Sequence, residues 1–263
     1  MKRVGTVASL WRYPVKSMRG EELPEIFAGF SGIYSDRLFA IHDSAGRKGF
    51  LYLTAREQRR MLQFQPRFRE PEKTLAPPNL KEAENLGPGT TPVYADPADL
   101  MLDVETPSGE TLAIDDPALL EMLCEGIDPK HQPSLMRSER ALTDCRPISV
   151  ISLQSIRKLG DEIGSAIDKL CFRANIYLDL TSGEGFAEDR FVGRSLRIGP
   201  KATFAILERD PRCAMIVLDP ETGEKNPAIL KAVAQQHEGK IGLYAAVLVE
   251  GMIRQGDEVE LLD

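Results

Sequence analysis

The chain has 263 residues, of which 42% are hydrophobic and 28% charged, a composition typical of a soluble globular protein with one large or two modest domains. Its formal net charge of -7 argues against a nucleic-acid partner, because phosphates repel an acidic protein at long range. No apolar run approaches the roughly 20 residues of a membrane-spanning helix, and the N-terminus lacks an apolar core with a cleavage site, so neither a membrane partner nor a signal peptide is expected.

The first half of the chain is predicted to be β-structure. Five segments have strand patterns: residues 4–10, 38–41, 49–53, 100–105 and 110–114. Turn residues at 43–46 and at Pro107-Ser108-Gly109 predict that the last four segments pair as two hairpins. Between the hairpins, residues 70–99 are rich in Pro, Gly, Glu and Asn, and we predict little structure of their own.

The second half is predicted to alternate strands with a few short helices. Asp116-Pro117 begins a helix over residues 118–124, and a domain boundary near Asp116 divides the chain into residues 1–116 and 117–263. Residues 126–146 form a polar crossing segment. Further strands are predicted at residues 148–151, 174–180, 196–198, 202–207, 241–249 and 258–262. Helices follow Ser152 and Asn226-Pro227, and turns fall at residues 250–251 and 255–257.

The predicted fold class is therefore α+β, mainly β with short helices, without the βαβ alternation of a doubly wound sheet. The sequence has no Walker loop, HExxH or GxSxG motif, and three scattered histidines do not indicate a zinc site. None of the four cysteines forms a CxxC pair. Unpaired thiols in an unsecreted chain predict a reducing compartment, hence a cytoplasmic location.

Several polar residues stand where apolar strands begin or end. They are Lys16-Ser17, Asp36-Arg37, Arg56, Arg173 with Asn175, and Arg212-Cys213. A basic residue at a strand end is usually a solvated terminus, and an isolated cysteine is usually a small buried hydrophobe. Each residue taken alone is therefore uninformative.

Taken in order, these segments resemble a known family. They are YPVKS (13–17), DRLFAI (36–41), LTAR (53–56), FRANI (172–176), FAED (186–189), RC (212–213), DPETG (219–223) and GLYAAV (242–247). The chain is similar to proteins in which a molybdenum cofactor sulfurase C-terminal (MOSC) domain follows a β-barrel companion domain. The branch that it resembles contains the mitochondrial amidoxime-reducing component and bacterial hydroxylaminopurine reductases. The resemblance implies an N-terminal β-barrel-like domain and a C-terminal MOSC β-barrel domain.

The resemblance also implies a molybdenum–pterin cofactor, with no requirement for pyridoxal phosphate. The metal ligand falls on Cys213, and a thiolate is a suitable soft ligand for molybdenum. The residues implied in binding the phosphate and pterin are Lys16, Ser17, Arg37, Arg56, Arg173, Asn175 and Arg212. Asp144 matches an acidic residue near the metal, where it would deliver protons or serve as a capping or loop residue.

The chain departs from the family pattern at several positions, which affects the substrate more than the cofactor. Ala174 replaces a common Pro, Ser35 replaces a common Gly, and residues 214–216 are more apolar than in the amidoxime reducers. The favoured function is reduction of an N-hydroxylated small molecule, with electrons from a separate ferredoxin-like or flavoprotein donor. The alternatives are a non-catalytic carrier of cofactor or sulfur that uses Cys213, and a β-barrel interaction module without cofactor.

Overall fold

The structure is a computed structural model that describes residues 1–47, 49–83 and 95–262. The described residues are mainly β, as predicted. The strands are β1 (Lys2–Arg12), β2 (Glu21–Leu23), β3 (Glu25–Gly29), β4 (Gly32–Ile33), β5 (Phe39–Arg47), β6 (Phe50–Leu53), β7 (Gln65–Phe68), β8 (Leu102–Glu105), β9 (Thr111–Ala113), β10 (Pro133–Arg137), β11 (Ile148–Ser152), β12 (Ile176–Leu180), β13 (Ser195–Ile198), β14 (Ala202–Pro211), β15 (Lys240–Val249), β16 (Gly251–Arg254) and β17 (Glu258–Leu262). The α-helices are α1 (Leu80–Ala83), α2 (Pro117–Cys124), α3 (Leu153–Ile163) and α4 (Pro227–Gln236).

Seven of the strands close into a barrel. Their order is β12, β11, β15, β14, β13, β17 and β1, and β1 closes the ring by pairing with β12. Only β11 and β12 pair in parallel within this ring, and α3 between them supplies the crossover that a parallel connection needs. The first strand of the chain thus belongs to a barrel whose other strands come from residues 148–262.

The described residues also form three smaller three-stranded sheets, in the orders β10-β5-β6, β16-β3-β4 and β7-β8-β9. One buried apolar cluster, which includes Leu10, Phe204 and Leu243, draws its residues mainly from the barrel strands. A second cluster joins residues of the N-terminal sheets, such as Phe39, to residues of the C-terminal helices, such as Val233. Because this cluster draws on both sides of Asp116, the boundary there stays a prediction.

The predicted helix starts are confirmed by side-chain caps. The Asp116 side chain accepts a hydrogen bond from the backbone N–H of Ala118, and Pro117 occupies the first helical position of α2. Ser152 caps α3 and Asn226 caps α4 in the same manner. Among the described residues, no helix is long and apolar enough to cross a membrane.

The predicted turn at residues 43–46 is wrong, although the hairpin it was meant to join is present. Those residues lie inside β5, where the register with β6 shifts between His42 and Arg47. The Asp43 carboxylate accepts from the N–H of Ala45, so the turn-like signal produces an irregularity within a strand.

Other differences concern short strands. The polar segment of residues 126–146 contains β10, which pairs with β5, and the predicted turn at Gly251 is the start of β16. Strands β2, β3, β4 and β7 were not predicted. The predicted excursion of residues 70–99 contains short 3-10 helical turns at Pro71–Thr74 and Pro97–Leu100 as well as α1, while residues 84–94 lie outside the described residues.

Candidate functional site

The described part of the chain contains an open cavity with an empty volume, including its mouth, of about 1160 Å³. The barrel strand β14 and the β5–β6 hairpin both contribute residues to its wall. Nine residues singled out in the sequence line it together: Lys16, Ser17, Arg37, Arg56, Asp144, Arg173, Asn175, Arg212 and Cys213. The fold therefore brings residues nearly 200 positions apart in sequence, such as Lys16 and Cys213, onto one surface.

The cavity is strongly cationic in an otherwise acidic protein. Among the described residues, six basic side chains line it against two carboxylates, those of Asp144 and Asp210, whereas the whole chain has a formal net charge of -7. Clustered lysine and arginine donors in a concave site favour anions, and arginine pairs particularly well with phosphate. The wall therefore suits a ligand with at least one anionic group.

Two arginines stack on Tyr13. The guanidinium carbons of Arg37 and Arg173 lie 4.8 and 4.2 Å from the centroid of its buried ring. Arg37 pairs with the Asp36 carboxylate and donates a 2.9 Å hydrogen bond to the carbonyl of Arg173. The guanidinium of Arg173 in turn donates a 2.8 Å hydrogen bond to the carbonyl of Met18. Burial lowers the pKa of Arg173 to about 10. For Arg37, burial opposes the charged form but Asp36 more than offsets it, so its pKa is raised.

The backbone is strained at the same place. Ser17, Arg37 and Arg173 have φ values of 69°, 47° and 50°, in the left-handed region that residues with a Cβ seldom adopt. Such conformations cost on the order of 1 kcal/mol each and persist where the surrounding structure enforces them, commonly at functional sites. Three strained residues on one cavity wall support a functional role for that wall.

Lys16 and Asp144 form a pair on the wall of the cavity. Lys16 Nζ donates to the Asp144 carboxylate and, at 2.8 Å, to the carbonyl of Leu142, and it lies 4.8 Å from the centroid of the Tyr52 ring. Burial lowers the pKa of Lys16, while Asp144 acts in the opposite direction. An ammonium group has three donors, so one N–H of Lys16 remains for a ligand. Asp144 is exposed, with 38% of its side chain accessible.

Arg212 and Cys213 follow β14 at its carboxyl end. Arg212 donates through Nε to Ile241 O at 2.8 Å and through Nη1 to Phe172 O at 3.0 Å. Its Nη2 is buried and has no hydrogen-bond partner among the described residues. Cys213 is half-buried and precedes a 3-10 turn at Ala214–Val217. A buried unpaired donor costs free energy, which an anionic ligand would recover.

Two of the predicted residues make mainly structural contacts. The side chain of Asn175 is 1% exposed, and it accepts from the N–H of Ser149 and donates to Trp11 O, both at 3.3 Å. It therefore ties β11 to β1. Arg56 donates to the Thr54 hydroxyl at 3.1 Å and lies 4.3 Å from the centroid of the Phe50 ring, so it covers an aromatic wall of the cavity.

The sequence interpretation missed other cavity residues. Cys145 and Cys171 line the same cavity as Cys213, and burial raises the pKa of Cys171 to about 12. Ser149, Asp210 and Tyr244 also line it. Their only signal in the sequence was that Asp210 precedes the Arg212-Cys213 pair.

The chain matches known proteins along most of its length. The model of the MOSC N-terminal beta barrel domain matches residues 4–85, and that of the MOSC domain matches residues 137–260. Mitochondrial amidoxime-reducing component 1 of Mus musculus is 27% identical over 294 aligned residues, covering 100% of this chain and 84% of that protein. Mitochondrial amidoxime reducing component 2 of Rattus norvegicus is 26% identical, covering 98% and 84%. The crystal structure of the YUAD protein from Bacillus subtilis shares the fold, with a TM-score of 0.50, 12% identity, and coverage of 99% of this chain and 97% of that one.

Proposed function

The chain carries a MOSC N-terminal beta barrel domain followed by a MOSC domain, and we propose that it binds a molybdenum–pterin cofactor in the cationic cavity. With this cofactor the protein would reduce N-hydroxylated small molecules. The observation that carries the proposal is the convergence of Lys16, Arg37, Arg173, Arg212 and Cys213 on one cavity. The relatives named as amidoxime-reducing components support the same reaction class.

The cavity residues fit such a cofactor. A pterin phosphate needs several cationic donors, and the unpartnered Nη2 of Arg212 is a buried donor suited to an anion. The remaining N–H of Lys16 and the guanidinium groups of Arg37 and Arg173 supply further positive charge. These residues, with the hydroxyl of Ser17, would hold the phosphate and pterin. Arg56 and Asn175 would contribute mainly by shaping the wall.

Cys213 is the thiol best suited to bind the metal. It lines the cationic cavity, is half-buried, and directly follows Arg212 at the carboxyl end of β14. Cys171 is a poorer ligand because its raised pKa keeps it protonated near neutral pH. Cys145 lies on the exposed segment beside Asp144 and outside the strands, whereas Cys213 directly follows the end of β14 and Arg212.

The reaction requires both electrons and protons. When bound, the molybdenum centre supplies two-electron reduction of the N–OH bond. Conversion of an N–OH compound to the amine and water consumes two electrons and two protons. We assign the electrons to a separate ferredoxin-like or flavoprotein donor, and proton delivery to the Lys16–Asp144 pair, whose carboxylate is in contact with solvent.

The test begins with metal and pterin content. Protein made in a host that synthesises the cofactor is expected to contain nearly one molybdenum and one pterin per chain. Cys213→Ala is expected to lose the metal, whereas the matched control Cys145→Ser keeps it. Molybdenum retained by Cys213→Ala would refute the ligand assignment, and wild-type protein without molybdenum or pterin would refute the cofactor.

A turnover assay separates the enzyme from the carrier. Loaded protein, a chemical reductant and benzamidoxime are expected to yield benzamidine, as measured by chromatography. Stable cofactor binding without turnover would instead support a carrier of cofactor or sulfur, which the half-buried thiol of Cys213 could equally serve.

A further inference from the structure

Asp210 is a buried carboxylate in the wall of the cavity. It lies near the end of β14 and is 2% exposed. Its Oδ2 accepts a 3.0 Å hydrogen bond from the hydroxyl of Ser149 on β11 and lies 3.0 Å from Nη1 of Arg212. One carboxylate oxygen thus joins β11, which lies two strands from β14 in the barrel, to the arginine beside Cys213.

Three contacts hold the guanidinium of Arg212 at two of its three nitrogens. Nε is fixed by the Ile241 carbonyl, and Nη1 by the Phe172 carbonyl and Asp210. Nη2 is the end without a hydrogen bond among the described residues. A Cβ on Gly242 would lie only 2.9 Å from Nη2, so a larger residue at position 242 would crowd this nitrogen. The contacts therefore fix the direction of one buried, unpaired donor.

We propose that Asp210 is a positioning residue that holds Arg212 so that its Nη2 meets an anionic group of the bound cofactor. This inference rests on the proposed function. An arginine pre-organised in this way loses less rotational freedom when it binds an anion, which strengthens the contact.

Positioning and simple electrostatics predict effects of opposite sign. Replacing Asp210 with Asn removes a negative charge from the cavity wall, which by charge alone would strengthen binding of an anion. If Asp210 orients Arg212, the same substitution weakens binding, because the guanidinium loses its charged partner and is held less firmly by the two carbonyl contacts that remain. The sign of the change in cofactor retention therefore separates the two roles.

The experiment measures the rate at which the loaded protein releases pterin, followed by fluorescence after dilution. Asp210→Asn is expected to release it about tenfold faster, the size of effect typical of residues that orient a ligand-binding group. Glu258→Gln is the matched control. Glu258 lies on β17 and forms an exposed ion pair with Arg3, so its substitution also removes one carboxylate but should leave the release rate unchanged.

A double-mutant cycle tests whether Asp210 acts through Arg212. Arg212→Gln alone is expected to accelerate release, and the double variant Asp210→Asn/Arg212→Gln should be no faster than Arg212→Gln. An unchanged or slower release for Asp210→Asn, or additive effects in the cycle, would overturn the inference.

Two further measurements keep the outcome decisive. If circular dichroism shows that Asp210→Asn does not fold, Ser149→Ala removes the hydroxyl bond to the same oxygen and is expected to accelerate release about twofold to threefold; no change would overturn the inference. Wild-type protein without pterin or molybdenum would overturn the proposed function and this inference with it. If wild-type protein holds the cofactor and Asp210→Asn releases pterin at the same rate, only the role of Asp210 would be overturned.

Discussion

The cavity has two unlike sides. On the inner side, which we define by Arg37 and Arg173 with their contacts Tyr13 and Asp36, the charged groups are largely buried and the backbone of both arginines is strained. On the outer side, defined by Phe50, Arg56 and residues 143–146, the side chains are half-buried or exposed.

The contacts on the two sides differ in the same way. The Asp36–Arg37 pair has side-chain exposures of 0% and 11%, whereas Arg146 and Glu208, which pair at the outer side, are 49% and 45% exposed. Buried pairs are costly to break, while exposed pairs contribute little. The inner side is therefore suited to a permanently held group, and the outer side to a molecule that enters and leaves.

The largest expected effect tests the rigidity of the inner side. Asp36→Ala leaves the Arg37 guanidinium buried without its charged partner and also removes the acceptor for the N–H of Tyr13. We expect the free energy of unfolding to fall by about 3 kcal/mol or more, measured by urea denaturation.

The matched control for Asp36→Ala breaks the exposed pair. Glu208→Gln removes the partner of Arg146 and is expected to change the free energy of unfolding by less than about 0.5 kcal/mol. Similar losses of unfolding free energy for both variants would show that the two sides are held equally firmly.

The second prediction compares two thiols of the cavity, a buried one, Cys171, and one on the outer side, Cys145. Cys171 is 6% exposed with a pKa raised to about 12 by burial, whereas Cys145 is exposed. In the protein without cofactor, iodoacetamide at pH 8 is expected to modify Cys171 at least about thirtyfold more slowly than Cys145, because only the thiolate reacts.

The pH dependence provides an independent check. A thiol with a raised pKa remains protonated, so the rate at Cys171 should keep rising by about tenfold per pH unit up to pH 10, whereas an ordinary thiol levels off above about pH 9. The rates are read by mass spectrometry of the modified peptides, with Cys145→Ser as the control. Rapid labelling of Cys171 at pH 8, or a plateau near pH 9, would contradict its buried position.

The residues of the cavity differ in how far the sequence predicts them. Lys16, Arg37, Arg173 and Cys213 were singled out because each stands at a strand end within a recognisable motif. Asp210 carried no such signal, since its importance depends on Ser149, which is 61 positions away in sequence.

The fold shows the same limit. Local patterns predict most strands and the starts of α2, α3 and α4, because caps and apolar periodicity are encoded in adjacent residues. They do not predict that β1 closes the barrel against β12, or that residues 43–46 continue β5. In the latter case the Asp43 carboxylate also pairs with His131, a contact 88 positions distant that no local pattern contains.

The smallest expected effect concerns the outer side. Arg56 lies over the Phe50 ring and has only one side-chain hydrogen bond among those described, to Thr54. Arg56→Gln keeps a polar side chain but removes the charge and weakens the contact with the ring, so we expect a change of about threefold to fivefold in the KM for benzamidoxime, with molybdenum content unchanged. Arg146→Gln is the control, because Arg146 lines the same side but is paired away from the ring with Glu208; its KM should stay within about twofold. Loss of molybdenum from Arg56→Gln would show that this arginine helps to hold the cofactor. Arg56 would then belong to the fixed inner side and not to the adaptable outer side.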